Sequence, residues 1–371
     1  MKTVLVVGQT QPESSGQAVV ISNILDGCYT NIKVVHCNFD FSNNVSAMGS
    51  FTPGKVFRLI RVVFRAIVLR VQCKPNILYY PVAGPHVVPI LRDLVFLGCT
   101  RWMFKYTVFH FHAATTSQRV SRLPWPLRFL LLKVYNNADC AVLTAPENYP
   151  DGLRLGAKVT RILPNGIQDF ASRYELIRSH RNEVRILFLS LVSEQKGIFV
   201  LLDACRRLKM EDAVFRLAVV GPYASPEFAK VVESFVSTAG LADSVEFLGE
   251  LVARDKWSQY QMADIFCFPS HHPSESFGLV VVEAMQFALP VVASRWGGVQ
   301  SVVEEGRTGL LFEPGNSAEL ASLLKALIGD GQLRSTLGTE GRKRYSQRFT
   351  AATFHGGFEK IIGMVTKPEE P

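Results

Sequence analysis

Two stretches of this chain repeat one pattern, and that repetition limits what the chain can fold into. The first stretch opens with the apolar run "KTVLVVG", crosses a polar Gly/Pro/Ser loop and continues as "GQAVVISNILDG", which reads as strand, loop and helix. Strand-like runs "KVVHCNF", "NILYYP", "YTVFHFH" and "CAVLTA" follow with helical stretches between them, and "KVTRILPNGIQDF" ends in a Pro-Asn-Gly turn. After a polar linker at 171–183 the pattern restarts. "VRILFLS" leads through "SEQKG" into the helix "IFVLLDACRRLK", and strands recur at "FRLAVVG", "SVEFLG", "DIFCFPS" and "PVVAS". Short apolar strands alternating with helices mean parallel sheets joined by right-handed crossovers. The expected fold class is α/β, with two Rossmann-like domains, 1–170 and 171–348, facing each other across a deep interdomain cleft. The tail 349–371 is expected to be a closing helix that packs back on the first domain. Ligands of open α/β sheets gather outside the carboxyl ends of the strands, so the cleft is the expected site.

Size and composition agree with two globular domains. The 371 residues exceed one ordinary core. Hydrophobic residues make up 48% and charged residues 19%, which excludes a disordered chain. The start "MKTVLVVGQTQPESSG" is too short in apolar residues for a signal peptide, and no run reaches the roughly 20 that span a bilayer. The seven cysteines form no CxxC pair and have no histidines at ligand spacing, which fits reduced, cytoplasmic thiols. The net charge of +8 is unevenly spread. Residues 1–170 hold 18 Lys and Arg against 8 Asp and Glu, whereas 171–371 hold 22 against 24. An acidic partner for the first half is implied: nucleic acid, a membrane surface or an anionic substrate.

"HHPSESFGLVVVEAMQFALP" carries Glu275 and Glu283 with seven residues between them. On one helix they would stand roughly 12 Å apart along the axis. The carboxyl pair of a glycosidase needs about 5–9.5 Å, so this spacing does not suit one. With Glu275 in the loop before a helix and Glu283 two turns inside it, the helix N-terminus near Phe277 and Gly278 offers N–H groups to an anion. Glu283 can then accept hydrogen bonds from vicinal sugar hydroxyls. The same stretch also suits an ordinary helix cap with one acid in it. Lys196 in "LVSEQKG" can neutralise phosphate or be a solvated turn lysine. Gly16 can let backbone approach a phosphate, although it forms no GxGxxG. His110 and His112 alternate onto one face at a strand end, as substrate ligands or as partly buried histidines. Asp139, Asn165 and Gly166 also lie at strand ends, Asp139 in a structural role.

Lys55, Arg58, Arg61 and Arg65 recur at helical spacing in "GKVFRLIRVVFRAIVLR", with Arg70 at its end and no acid. Such a helix can lie on an anionic bilayer or can face the core with a solvated basic side. "RLPWPLRFLLLKVY" adds Trp125 and more bases. The charge of the first half favours a membrane, and no nucleic-acid partner is expected, because stacking aromatics are not interleaved with the bases.

Together these residues resemble the retaining GT-B-fold glycosyltransferases of family 4 (glycosyl transferases group 1). The family's E-x7-E element falls on Glu275 and Glu283 and continues through Gly297, Gly298, Glu304, Gly309 and Pro314. "KG" at Lys196–Gly197, "VVGP" at 219–222, "FLGEL" at 247–251 and "ILPNGI" at 162–167 match in order. The resemblance implies a nucleotide-sugar donor bound mainly by the second domain. Glu283 would hold the donor ribose and Lys196 the diphosphate. Glu275, with the backbone of Phe277, Gly278 and Leu279, would contact donor sugar and diphosphate. His112 in "FHAAT" matches the family's first-domain histidine near the donor sugar. Glu275 and His112 are therefore the implied catalytic positions, and Gly16 matches the glycine-rich first loop, here "SSGQ". The family often has an Arg five residues before the lysine, but this chain has Leu191 there.

No Asp-x-Asp motif and no side chain placed as a nucleophile stand out. The expectation is front-face retaining transfer without cofactor or essential metal, the leaving charge being stabilised electrostatically. The expected acceptor is a lipid-linked or membrane-proximal saccharide, in cell-envelope or exopolysaccharide synthesis, with the protein peripheral on the inner membrane face. Three other readings remain: a soluble sucrose- or glucan-type transferase, a non-catalytic partner subunit with a degenerate donor site, and a nucleotide-sugar epimerase.

Overall fold

A computed structural model describes residues 1–10, 16–39, 53–173 and 183–366. The chain forms two compact units, one of Met1–Ile167 with the chain from Ala351 onward, the other of Gln168–Thr350. Each unit is built on a six-stranded, wholly parallel sheet.

The first sheet contains β1 (Lys2–Gly8), β2 (Ile32–Asn38), β3 (Ile77–Val82), β4 (Tyr106–Phe111), β5 (Cys140–Leu143) and β6 (Thr160–Ile162), in the order β2-β1-β3-β4-β5-β6. Its central strands, such as β3 and β5, read as unbroken apolar runs because both their faces are covered. Leu5, Val7, Leu78, Tyr80 and Phe109 pack beneath the helices Pro53–Cys73, Val87–Thr100 and Trp125–Tyr135. Val4, Val6, Ile77, Tyr79 and Val108 point the other way, against the helices Gly16–Asp26 and Ala351–Val365.

The second sheet contains β7 (Val184–Leu189), β8 (Phe215–Val220), β9 (Val245–Phe247), β10 (Ile265–Phe268), β11 (Val291–Ser294) and β12 (Gly309–Phe312), in the order β12-β11-β10-β7-β8-β9. Leu187 on β7 pairs with Ala218 on one side and Phe266 on the other. The order runs outward in opposite directions from β7 and β10. A crevice forms at such a reversal because successive crossovers leave towards opposite sides.

The closing helix of the tail runs from Ala351 to Val365. Gly331–Arg348 and Ala351–Val365 are separate helices. Between them Phe349 is buried and its ring packs edge-on to Phe277 at 5.8 Å. The Ala351 N–H then donates to the Ile167 carbonyl at 2.9 Å. Phe354, Phe358, Ile361 and Ile362 complete the core of the first unit. Of the linker expected at 171–183, residues 174–182 lie outside the described residues.

Candidate functional site

The reversal in the second sheet sets the loop after β7 beside the loop after β10. Gly197 has φ +80°, and a Cβ there would lie 2.1 Å from the Pro269 carbonyl oxygen, so the approach requires glycine. The His271 N–H donates to the Gln195 carbonyl at 2.9 Å. With the backbones fixed, Lys196 Nζ lies 2.6 Å from Glu275 Oε2. The Ser270 hydroxyl donates to the same oxygen at 3.2 Å.

A third loop, after β11, braces Glu275 from behind. Gly297 has φ +50°, and a Cβ on it would sit 2.2 Å from the Glu275 carbonyl oxygen. Trp296 Nε1 donates to the His272 carbonyl at 2.8 Å, and the Ser294 hydroxyl donates to that of Ser270. Burial acts to raise the Glu275 carboxyl, but the Lys196 charge and hydrogen bond, His272 and Ser270 outweigh it. The group is held below the usual carboxylate range. It is an ionised acceptor at neutral pH, not a proton donor.

Gly278 turns the chain into the helix Leu279–Gln286 with φ +82°, and no side chain caps that helix. The first-turn N–H groups are therefore left to backbone, water or an anion. Phe277 anchors the turn through its buried ring. The helix begins at Leu279, so Glu283 lies just over one turn inside it, where the sequence reading set two turns. Glu283 is 7% exposed. Lys256 Nζ lies 2.6 Å from its Oε1, and the Tyr260 hydroxyl donates to its Oε2 at 2.7 Å. Burial first, and the Glu283 charge second, push the Tyr260 hydroxyl well up, so it remains a donor. Lys256 also stands over the Trp257 ring at 4.6 Å. The sequence reading missed Lys256 and Tyr260, for which "ARDKWSQYQM" carries no signal beyond helix. The loop after β7, 190–197, carries one cation, Lys196, and Leu191 is a partly exposed apolar side chain on it.

The other two candidates belong to the first unit. Gly16 is exposed at the start of its helix, and residues 11–15 before it lie outside the described residues. The His110 and His112 rings lie 4.0 Å apart at the end of β4, on one face as their alternation requires. His110 Nδ1 bonds the Tyr79 hydroxyl. Burial lowers both imidazoles, His112 to about 3, and His110 is also held well below the usual range by burial and then by His112. Asp139 accepts from the Thr107 N–H at 2.7 Å and from Lys158 at 2.8 Å, a structural arrangement, and Asn165 is buried. Among the described residues no three His, Cys, Asp or Glu side chains gather as metal ligands, and no helix is long and apolar enough to cross a membrane.

The basic helix Pro53–Cys73 has two apolar sides. Val62 and Ala66 enter the core, while Phe57, Ile60 and Phe64 are 61–72% exposed beside exposed Arg58, Arg61 and Arg65. A core-facing helix with a merely solvated basic side does not present that stripe.

Residues 176–344, which enclose Lys196, Glu275 and Glu283, match the family model described as glycosyl transferases group 1. A D-inositol 3-phosphate glycosyltransferase of Paenarthrobacter aurescens is 31% identical over 186 residues, covering 48% of this chain and 45% of that protein. A phosphatidyl-myo-inositol mannosyltransferase of Mycobacterium leprae is 32% identical over 213 residues, covering 56% and 55%. The chain spans about half the length of these curated relatives. The crystal structure of Anabaena HepE in complex with UDP superposes with a TM-score of 0.73 at 19% identity, covering 98% of this chain and 100% of that one. That likeness is one of fold, the GT-B pairing of two parallel α/β units.

Proposed function

We propose that this chain is a retaining glycosyltransferase of family 4. It moves a sugar from a nucleoside-diphosphate sugar to a lipid-linked or membrane-proximal saccharide, in cell-envelope or exopolysaccharide synthesis. The observation that carries this reading is the Lys196–Glu275 contact at the strand-order reversal, within the segment that matches the family model. An ammonium and an ionised carboxylate fixed side by side suit a ligand that joins a diphosphate to a polyhydroxyl ring.

In this reading Lys196 and the uncapped helix end at Gly278 and Leu279 stabilise the departing diphosphate. Glu275 accepts hydrogen bonds from the sugar hydroxyls. Glu283, oriented by Lys256 and Tyr260, accepts from the ribose. The first unit's own candidates for contact with substrate are Gly16 and the neutral His112. No step is assigned to a metal or a cofactor. The carboxylate beside Lys196 is ionised, so leaving-group stabilisation is electrostatic, and the acceptor attacks on the face that the diphosphate leaves.

The D-inositol 3-phosphate glycosyltransferase and the phosphatidyl-myo-inositol mannosyltransferase among the relatives support sugar transfer to inositol-containing acceptors, one of them a phosphatidyl lipid, and HepE supports a uridine diphosphate leaving group. The exposed Phe57–Ile60–Phe64 stripe among arginines supports a peripheral position on the anionic inner face of a membrane. The test is a panel of UDP-, GDP-, ADP- and dTDP-sugars with membrane-lipid extract as acceptor, run on wild type and Glu275→Gln. Transfer of one sugar with its anomeric configuration kept, lost in the variant, is expected. Inversion would remove the retaining assignment. Absence of donor binding in the wild type would overturn the reading.

A further inference from the structure

An open groove of about 570 Å³ lies at the amino ends of β4, β5 and β6, the end of the sheet opposite His112. Four cations from separate parts of the chain line it: Arg101, Lys105, Lys133 and Lys158. The single acid in its wall, Asp139, is already bonded to the Thr107 N–H and to Lys158. Among the described residues no carboxylate reaches salt-bridge distance of Lys105 or Lys133, both of which are exposed. At the rim stands Trp102, 77% exposed, its ring pinned by a 2.9 Å hydrogen bond from Nε1 to the Cys99 carbonyl.

We propose that this groove binds a phosphate-bearing headgroup, with Lys105 and Lys133 on the phosphate and Trp102 at the boundary between headgroup and apolar chain. Cations without acids select an anion, and a groove of this size admits a glycerol phosphate. An exposed indole with a bonded N–H is a side chain suited to a membrane interface. The groove lies by the last turn of the basic helix Pro53–Cys73. The helices Val87–Thr100 and Trp125–Tyr135 that form its walls also expose Val95, Phe129 and Leu130. Arg70, in the last turn of the basic helix, donates to the Met103 carbonyl at 2.8 Å, next to Trp102.

The same chemistry is offered by an anionic lipid and by a soluble phosphate ester. The lipid source rests on the membrane reading of the proposed function, whereas the groove does not. The full chain is floated with vesicles carrying phosphatidic acid and with vesicles of equal surface charge carrying oleate. Its tryptophan fluorescence is titrated with glycerol 1-phosphate. Wild type, Lys105→Gln/Lys133→Gln and Arg61→Gln/Arg65→Gln are compared, the last removing the same charge outside the groove.

The expected result is a preference for phosphatidic acid over oleate vesicles of about tenfold in wild type, abolished in the Lys105/Lys133 variant, whereas the Arg61/Arg65 variant binds both kinds of vesicle less but keeps the ratio between them. Binding of glycerol 1-phosphate that needs Lys105 and Lys133, without vesicle binding, would keep the groove and assign its occupant to a soluble ester, so that only the membrane reading fails. Equal loss in both variants with no phosphate preference would mean diffuse charge and overturn the proposal. So would the absence of any phosphate response.

Discussion

Lys196 Nζ and Glu275 Oε2 lie 2.6 Å apart although 79 residues separate them in the chain. Lys196→Met leaves a largely buried carboxylate without its cation. Breaking such a pair destabilises by about 3 kcal/mol, because desolvation of Glu275 is then uncompensated. The variant is expected to melt at lower temperature and to lose most of its affinity for a nucleoside diphosphate. Glu275→Gln, which is nearly isosteric, is expected to keep nucleoside-diphosphate affinity and lose transfer. Calorimetric titration with the diphosphate, beside a transfer assay, separates the two. Equal effects on binding in both variants would mean that the pair acts only as a brace.

Acid stability carries the signature of the same contact. A carboxyl held low in the folded state contributes stability that is complete above its unfolded value of about 4.3. That contribution is lost as pH falls through the lower folded value. In Lys196→Met the folded value rises towards or above the unfolded one, so the loss of stability that Glu275 contributes on acidification is expected to shrink and the fall between pH 6 and pH 3 to be shallower. Melting curves of both proteins between pH 6 and pH 3 check this, and coincident acid limbs would contradict it.

The buried histidines act in the same sense but in a higher window. His112, lowered to about 3, stays neutral in the folded protein well below the unfolded imidazole value of about 6.5. The unfolded chain gains the proton first, so stability falls as pH drops below about 6.5, by about 1.4 kcal/mol per pH unit for each such histidine. His112→Asn is expected to flatten the pH dependence of unfolding between pH 6.5 and 5. Denaturant titrations at several pH values measure it, and an unchanged slope would remove His112 as the source.

The strands other than β12, their grouping into two sheets and the α/β class are legible in the sequence because the central strands are covered on both faces. That burial writes uninterrupted apolar runs such as "TVLVVG" and "FRLAVV". The break at Phe349–Thr350 has no local marker, since neither glycine nor proline stands there. Tertiary contacts of Phe349 and Ala351 end one helix and start the next. The two glutamates read as a pair in the sequence, but the fold gives each its own cation. Lys196 and Lys256 come from loops and helices that only the sheet order brings near. The bracing glycine at 297 was visible as a residue but not as a contact, because its neighbour is the Glu275 backbone and not a side chain.

Tyr260 fixes the orientation of Glu283 through a buried hydrogen bond of 2.7 Å. Tyr260→Phe removes a donor to a charged acceptor, a loss of about 1.5–3 kcal/mol. The ring stacked on Phe287 at 5.5 Å remains. Weaker donor binding with little change in transfer rate at saturating donor is expected. Steady-state kinetics show this as a raised KM with kcat kept. A fall in kcat alone would instead link Tyr260 to the chemical step.

Gly297 and Gly306 both have positive φ, at +50° and +72°, but only Gly297 faces backbone. Alanine at either position carries the left-handed penalty, about 1–2 kcal/mol. At Gly306 a Cβ meets open space, so that penalty is the whole effect. At Gly297 the Cβ would fall 2.2 Å from the Glu275 carbonyl oxygen, so the loop holding Glu275 has to shift. A displacement of about 1 Å at a reacting group can lower a rate about a hundredfold. Gly297→Ala is therefore expected to lose far more transfer activity than Gly306→Ala and to melt lower, because the clash adds to the shared left-handed penalty. If both variants keep activity, the contact with Glu275 does not position the reacting sugar, and the bracing role assigned to the loop after β11 fails.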